Sequence, residues 1–182
     1  MPDPAVLNFA GRFVGVDHPT YIIAEAGINH NGSVEMALRL IDEARAAGCD
    51  CVKFQKRSPE LSVPLAIRDT VRDTPWGLLS YLDYRRKIEL SLDDYVVIDA
   101  HARAAGIAWT ASVWDLESLV LFERFDVPFI KIPSAALTDH RLLQAARALG
   151  KPIVLSTGMS TLEEIRDAVA VLGTAGLALL HC

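Results

Sequence analysis

The stretch AAGCDCVKFQ, residues 46–55, ends a helical pattern, turns at a glycine and continues as a short apolar run that finishes in polar side chains. The same phrase recurs in AAGIAWTAS (104–112), FDVPFIKIPS (125–134), ALGKPIVLSTG (148–158) and TAGLALLHC (174–182). A similar run, TYIIAEAGINHNG (20–32), opens the series without a helix before it. Apolar runs of strand length that alternate with helical patterns predict parallel βαβ units, with strands buried on both faces.

Polar side chains stand at the carboxyl ends of these predicted strands. In chain order they are Glu25, Lys53, Gln55, Ser112, Lys131, Ser134, Ser156 and His181. Parallel strands present their carboxyl ends at one edge of a sheet, which is where α/β proteins of this type carry their chemistry. We therefore expect these side chains to converge on a single site.

Composition excludes several classes of function. The 182 residues carry a formal net charge of −5, and no basic stripe suggests a nucleic-acid partner. No run approaches the ~20 apolar residues of a membrane span, and the amino terminus does not resemble a secretion signal. The three cysteines lack the spacing of a zinc site, so we expect structural thiols in a reducing cytoplasm.

The coarse element assignment follows the repeated phrase. Strands are predicted over residues 21–26, 51–55, 107–112, 128–133, 152–156 and 177–181, and helices over 33–47, 92–105, 115–125, 139–149 and 161–172. Residues 8–19 are typical of a short strand or hairpin. Ser160 and Glu163 have the spacing of a capping box for the last helix. Residues 56–87 form the longest interruption, for which we expect little regular structure and a functional role as a lid or partner surface.

Six strand–helix units are fewer than a closed barrel requires. A (β/α)₈ barrel has eight units and about 250 residues. The chain is therefore either an open six-stranded sheet or the front part of a longer barrel, and we favour the second.

Two lysines suggest what the site binds. Lys53 lies inside the apolar strand VKFQ, with Gln55 on the same face, and Lys131 repeats the situation in FIKIPS. A buried lysine is costly unless it is compensated, although a lysine at the rim of a sheet can reach water. Together they suit an anion that carries both a phosphate and a carboxylate.

The turn Ser156-Thr157-Gly158 could present backbone N–H groups to that phosphate, or could only cap the next helix. Ser112 offers a hydroxyl to the same edge, or fills a strand terminus.

Glu25 is a carboxylate that directly follows apolar residues, so it is either catalytic or part of a structural ion pair. Asn29 and His30, in the loop that follows, could reach a sugar or only shape the loop. We see no adequate metal-ligand cluster in the sequence.

The segments IIAEAGINHNG, VKFQ, KIPS, PIVLSTGM and ALLHC, in this order, resemble the N-acetylneuraminate (sialic acid) synthase family from about residue 10 onward. The resemblance implies a (β/α)₈ TIM barrel followed by an antifreeze-like domain, in a cytoplasmic homodimer. On this basis residues 1–182 are the amino-terminal part of the barrel, without its last two strands or the antifreeze-like domain. The implied reaction condenses phosphoenolpyruvate with an N-acylated hexosamine, giving a nonulosonic 2-keto sugar acid and phosphate.

The resemblance also implies roles for individual residues. Glu25, Lys53 and Lys131 would be catalytic, and the substrates would be bound by Gln55, Ser112, Ser134, Ser156, Asn29 and His30. A divalent metal, Mn²⁺ or Mg²⁺, would polarise the aldehyde of the sugar, with its ligands outside this chain. Two alternatives stay open: a short non-catalytic paralogue that binds ligand or a synthase partner, and another phosphate-handling barrel enzyme.

Overall fold

A computed structural model describes residues 6–182. The strands are β1 (Leu7–Phe9), β2 (Arg12–Val14), β3 (Ile23–Gly27), β4 (Cys51–Lys56), β5 (Val71–Thr74), β6 (Gly77–Ser80), β7 (Ala108–Val113), β8 (Ile130–Ile132), β9 (Ile153–Ser156) and β10 (Leu177–Leu180). The helices are α1 (Val34–Ala46), α2 (Pro59–Ser62), α3 (Tyr81–Ile88), α4 (Leu92–Ala105), α5 (Val120–Arg124), α6 (His140–Ala148) and α7 (Leu162–Leu172). No helix in the described part is long and apolar enough to cross a membrane.

Six strands form one parallel sheet in the order β10-β9-β8-β7-β4-β3. Every neighbouring pair is parallel, and a helix returns the chain between successive strands. The predicted α/β class is confirmed, and the sheet is a half-barrel of the (β/α)₈ type. Its two edges are β3 and β10, the first and last strands of the series, as the sequence order requires.

The alternation of side chains along each strand separates the two faces of the sheet. Val52 and Phe54 face the helices and belong to the main hydrophobic core. Cys51 points to the other face, where it forms a smaller cluster with Phe129 and Phe9 of β1. The hairpin of β1 and β2 therefore packs under the inner face, at the end opposite the polar side chains, and the predicted hairpin is confirmed.

Local signals explain where the helices begin. The Ser33 hydroxyl accepts a hydrogen bond from the N–H of Met36, and Ser91 forms a capping box with Asp94. The capping box predicted for the last helix is wrong by one residue, since Thr161 pairs with Glu164. Thr161 has the extended backbone of an N-cap (ψ 161°), and its hydroxyl accepts a hydrogen bond from the N–H of Glu164.

The expectation of little regular structure over residues 56–87 is wrong. The segment contains α2, a 3₁₀ turn, the antiparallel hairpin of β5 and β6, and most of α3. Gly77 has φ +90° at the start of β6, and Ser80 caps α3 by accepting from the N–H of Asp83. The predicted helix 115–125 is also divided, into a 3₁₀ turn at Glu117–Leu119 and the short α5.

Candidate active site

The carboxyl ends of the sheet strands surround a cavity of about 470 Å³. The cavity is lined by seven of the nine residues predicted for the site, which are Glu25, Lys53, Gln55, Ser112, Lys131, Ser134 and Ser156. Trp114, Met159, His181 and Cys182 complete much of its wall. The structure therefore brings together most of the side chains that sequence reasoning placed at one edge, while their roles stay a prediction.

Strand register explains why these side chains meet. Glu25 of β3 lies opposite Lys53 of β4. Two residues further along β4, Gln55 lies opposite Ser112 of β7. Ser112 in turn lies opposite Lys131 of β8. Because residues two apart share a face, these side chains all project to the inner face, above the apolar cluster of Cys51 and Phe129.

Lys53 is only 3% exposed, and its charge is compensated on two sides. Its Nζ lies 2.8 Å from Glu25 Oε2 and donates a hydrogen bond of 2.8 Å to Ser112 Oγ. The Glu25 side chain is 63% exposed, since β3 is an edge strand. An ammonium group at the floor and a solvent-facing carboxylate above it can contact the same bound molecule.

Lys131 is also nearly buried, at 4% exposed, but it contacts no carboxylate within the described residues. Its Nζ donates to Ser156 Oγ at 2.6 Å and to the carbonyl of Ile132 at 2.9 Å. Burial lowers the pKa of Lys131 to about 8, and the positive charge of Lys53 contributes to the lowering. A bound anion would favour the charged form of Lys131 and would therefore oppose both of these effects on its pKa.

Gln55 is held by a residue that sequence reasoning missed. Arg57 donates from Nη2 to Gln55 Oε1, which leaves the amide Nε2 of Gln55 as the group that can donate to a ligand. Arg57 is itself fixed, because its Nε lies 3.0 Å from Glu89 Oε1 and its guanidinium stacks 4.2 Å from the ring centre of Trp114. The sequence spacing could have indicated Arg57, because it follows Gln55 by two residues, just as Gln55 follows Lys53, and residues two apart on a strand share a face.

Glu89 is almost fully shielded from water. Burial raises its pKa to about 7, although the charges of Lys56 and Arg57 act in the opposite direction. The orientation of Gln55 thus depends on a buried ion pair whose carboxylate titrates near neutral pH.

One interpretation of the turn after β9 was that its backbone N–H groups face a bound phosphate, and for Thr157 this is not observed. The N–H and hydroxyl of Thr157 both donate to the carbonyl of Leu180, so this N–H is occupied within the fold. The Ser156 hydroxyl lines the cavity and is the largest cause of a lowered pKa for the thiol of Cys182. The turn therefore presents the Ser156 side chain to the cavity, whereas the N–H of Thr157 is not available to a ligand.

Asn29 and His30 are not brought into the cavity. Asn29 lines a separate groove between β3 and α1, which it shares with Glu25. His30 is 1% exposed; its Nδ1 accepts from the N–H of Gly32, and its ring lies 6.0 Å from that of Phe54. Burial lowers the pKa of His30, and these contacts belong to a side chain that shapes its loop.

A bound metal ion needs several ligand side chains close together. Within residues 6–182 there is no group of three or more His, Cys, Asp or Glu side chains arranged to hold one. This part of the chain does not fit a metal centre by itself, and we assign its residues no step that requires one.

The family of this chain is identified by its similarity to known proteins. The profile of the NeuB family matches residues 40–182, which is most of the chain. The chain belongs to the NeuB family. Among curated members, an N-acetylneuraminate-9-phosphate synthase from Drosophila melanogaster is 40% identical over 167 residues, covering 89% of the chain and 45% of that protein. An N,N'-diacetyllegionaminic acid synthase from Campylobacter jejuni is 37% identical, covering 90% of the chain and 51% of the relative.

A solved structure shares the fold described above. The N-acetylneuraminic acid synthetase of Leptospira borgpetersenii, crystallised with citrate, superposes with a TM-score of 0.87 at 26% identity, over 100% of this chain and 61% of the other. This NeuB-family chain spans about half the length of the curated relatives it matches.

Proposed function

We propose that the chain is part of a synthase that condenses phosphoenolpyruvate with an N-acylated hexosamine. The products are a nonulosonic 2-keto sugar acid and inorganic phosphate. The observation that carries the proposal is the pair of buried lysines, Lys53 and Lys131, at the floor of one cavity. The two acidic groups of phosphoenolpyruvate match two ammonium groups, of which Lys53 pairs with the exposed carboxylate of Glu25 and Lys131 has only neutral partners among residues 6–182.

In this proposal the three-carbon donor lies across the lysines. Lys131 and Ser156 hold one acidic group, and Lys53 with Ser112 holds the other. Gln55 donates its amide N–H to the donor, and Ser134 supplies a further hydroxyl at the start of the turn after β8. The charges are fixed before the ligand arrives, so the site needs little reorganisation during the reaction.

The chemistry joins two carbon atoms and releases phosphate. The enol carbon of phosphoenolpyruvate attacks the aldehyde carbon of the open-chain sugar, so that a C–C bond forms and positive charge develops at the carbon bearing the phosphate. Water adds to that carbon, and breakdown of the adduct expels phosphate and leaves the ketone. Glu25 lies on the exposed side of Lys53, where the sugar must approach, and we assign it to the acceptor near its reacting carbon.

The remaining features of the proposal concern the whole protein. We propose that residues 1–182 are the amino-terminal part of a (β/α)₈ barrel that is completed by two more strands and followed by an antifreeze-like domain. The enzyme would work as a cytoplasmic homodimer on small molecules. A divalent metal, suggested by family membership, would take its ligands outside this chain. The curated relatives named above are synthases, which supports this proposal over a non-catalytic paralogue or a different phosphate-handling enzyme.

Calorimetric titration of phosphoenolpyruvate into the 182-residue chain tests the donor site. We expect binding that Lys131→Met weakens at least tenfold, because a charge-assisted contact contributes about 1.5–3 kcal/mol. The variant Lys151→Met, which removes a lysine paired with Asp126 outside the cavity, should bind like the wild type. Equal binding by all three proteins would refute the assignment.

A second assay addresses catalysis. We expect the chain alone to release no phosphate from phosphoenolpyruvate and N-acetylmannosamine with Mn²⁺, because residues 6–182 hold no group of side chains arranged to bind a metal ion. Turnover by residues 1–182 would contradict the proposal that later segments complete the enzyme.

A further inference from the structure

The amide of Gln55 can present either of two ends to the cavity that it lines. Its oxygen is an acceptor and its nitrogen is a donor, while the two ends have nearly the same shape. An oxygen turned toward a bound dianion would repel it, whereas an N–H would donate a hydrogen bond to it. Recognition of an anionic donor by Gln55 therefore depends on what holds the amide in one orientation.

The contact with Arg57 permits only one of these orientations. A guanidinium has donors and no acceptor, so Nη2 of Arg57 pairs with Oε1 of Gln55 and cannot pair with the amide nitrogen. That nitrogen lies beside Gly27 at the end of β3, where a Cβ on the glycine would be 3.5 Å from it. The backbone of Gln55 is held separately, because the hydroxyl of the buried Tyr95 donates to its carbonyl at 2.9 Å. The choice of amide end thus falls to Arg57.

Arg57 has little freedom of its own. Its Nε lies 3.0 Å from Glu89 Oε1, and its backbone N–H donates to Glu89 Oε2 at 3.2 Å. Its guanidinium stacks 4.2 Å from the ring centre of Trp114. The next residue, Ser58, donates its backbone N–H to Asp115 Oδ2 at 2.7 Å, which fixes the chain just beyond Arg57. A side chain that is already ordered in this way loses little entropy when a ligand binds beside it.

Burial of this guanidinium is unfavourable for the free protein. The side chain is 4% exposed, and burial is the largest cause of a lowered pKa for Arg57. The carboxylate that contacts it, Glu89, also lies 3.8 Å from Lys56 and so serves two cations. Two partners of the guanidinium, Gln55 and Trp114, line the donor cavity. The unfavourable burial is therefore coupled to the wall of that cavity.

We propose that Arg57 is a positioning residue for the donor, because it fixes the amide of Gln55 with its nitrogen toward the bound anion. The inference rests on the proposed function, in which phosphoenolpyruvate lies on Lys53 and Lys131. The cavity wall includes Gln55 but not Arg57, so Arg57 acts through Gln55 and not by touching the donor. Without Arg57 the amide is free to rotate, and the donor itself must order it.

Calorimetric titration of phosphoenolpyruvate into the 182-residue chain and its variants tests this coupling. Arg57→Met should weaken binding about threefold to tenfold, because the donor must then order the Gln55 side chain. Gln55→Met should weaken it about tenfold, because a charge-assisted hydrogen bond is lost. The double variant should bind like Gln55→Met alone, within about twofold, since Arg57 then has nothing to position. A full additional loss in the double variant would overturn the proposal.

Two further variants separate position from charge. Arg57→Lys keeps a cation that has only donors, and it should restore part of the affinity lost in Arg57→Met. Arg85→Met removes a second cation, which repels Arg57 and donates from Nε and Nη2 to the hydroxyl of Tyr81. It should leave the affinity near that of the wild type, and a loss equal to that in Arg57→Met would make charge alone the cause. Circular dichroism and thermal unfolding establish that each variant is folded.

The orientation of Gln55 can also be measured without a donor, by NMR of the ligand-free chain. The side-chain amide protons of Gln55 are assigned by the loss of their signals in Gln55→Met. We expect a nuclear Overhauser effect between these protons and Gly27 in the wild type and in Arg57→Lys, and its loss in Arg57→Met. An effect of equal strength in Arg57→Met would overturn the positioning role.

The two proposals can fail separately. If phosphoenolpyruvate does not bind the wild type, the donor site is wrong, while an Arg57-dependent signal between Gln55 and Gly27 would still establish that Arg57 orients the amide. Normal binding of phosphoenolpyruvate that does not depend on Arg57 leaves the proposed function standing and removes the positioning role.

Discussion

Lys53 and Lys131 lie on either side of the same serine. Ser112 Oγ accepts a hydrogen bond from Lys53 Nζ at 2.8 Å, and Ser112 faces Lys131 across the β7–β8 register. The two ammonium groups are therefore close enough for the charge of Lys53 to lower the pKa of Lys131. Two buried cations on adjacent parts of one sheet face are unfavourable for the free protein, and a dianion between them is the natural compensation.

The coupling between the lysines can be measured. Lys53→Met should raise the pKa of Lys131 above about 8, because it removes the repulsion, while burial still holds the value below that of an exposed lysine. NMR titration of the lysine side-chain signals reports the shift. Lys151→Met, which removes a lysine paired with Asp126 elsewhere, should leave Lys131 unchanged. An identical Lys131 titration in all three proteins would show that the lysines are independent.

Binding of phosphoenolpyruvate should weaken as the pH rises. The pKa of Lys131 lies near 8 in the free protein, and the bound anion favours the ammonium form, so the pKa rises on binding and a proton is taken up. Above pH 8 the affinity should fall, approaching tenfold per pH unit. Calorimetry between pH 7 and 9.5 measures the trend, which should be largely absent in Lys131→Met. A pH-independent affinity in the wild type would contradict this assignment of charge.

Glu25→Gln should separate donor binding from turnover. The Glu25 side chain is 63% exposed but its partner Lys53 is 4% exposed, so loss of the ion pair should lower the free energy of unfolding by about 1–3 kcal/mol. Phosphoenolpyruvate should bind about threefold to tenfold more tightly, because one repelling carboxylate is gone. Condensation by the complete enzyme should fall by at least about a hundredfold. The exposed variant Glu123→Gln serves as the control, and weaker donor binding in Glu25→Gln would oppose the prediction.

Glu89→Gln should become more stable than the wild type as the pH increases. The pKa of Glu89 in the folded protein, about 7, lies above its ordinary value of 4.5, so the folded state binds more protons between these values. Wild-type stability from this group therefore falls from pH 4.5 to 7, whereas glutamine does not titrate. Urea unfolding should show similar stabilities near pH 4.5 and an advantage on the order of 3 kcal/mol for Glu89→Gln at pH 8. Glu163→Gln, at an exposed position, should show no such trend.

Gly32→Ala should loosen the contact between the loop after β3 and the end of α3. Gly32 has φ +72°, and an added Cβ would collide with the backbone carbonyl of Lys87. Gly48 has a similar φ of +80° but open space around it, so Gly48→Ala measures backbone strain alone. We expect a loss of about 1 kcal/mol for Gly48→Ala and at least about 3 kcal/mol for Gly32→Ala in urea unfolding. Equal losses of unfolding free energy in the two variants would mean that the loop shifts away from Lys87 at no measurable cost, which would contradict the prediction.

Part of the candidate site could be predicted from local pattern. Lys53 and Gln55 are two residues apart on a strand, and this period alone puts them on one face. The carboxyl ends of parallel strands share an edge, so the convergence of Lys53, Ser112 and Lys131 follows from topology. His30 shows the limit of this reasoning, because a loop position does not reveal whether a ring points to the cavity or, as observed, packs beside Phe54.

The segment 56–87 was beyond such reasoning for a related reason. Its hairpin of β5 and β6 is short, and α3 is fixed by contacts with distant residues, among them the approach of Gly32 to Lys87. Hydrophobic periodicity cannot predict that Arg57 pairs with Glu89, or that Arg85 has no carboxylate partner among residues 6–182.

The amino-acid sequence by itself determined the order of the six strands of the parallel sheet, the faces of that sheet and its polar edge, since each depends on hydrophobic period and on short-range geometry. Tertiary structure alone decided which charges are neutralised. Lys53 has Glu25, Lys131 has only neutral partners, and Arg85 has no carboxylate within reach among residues 6–182. Ion pairing depends on a few ångströms between residues far apart in the chain, and that distance is fixed only when the core packs.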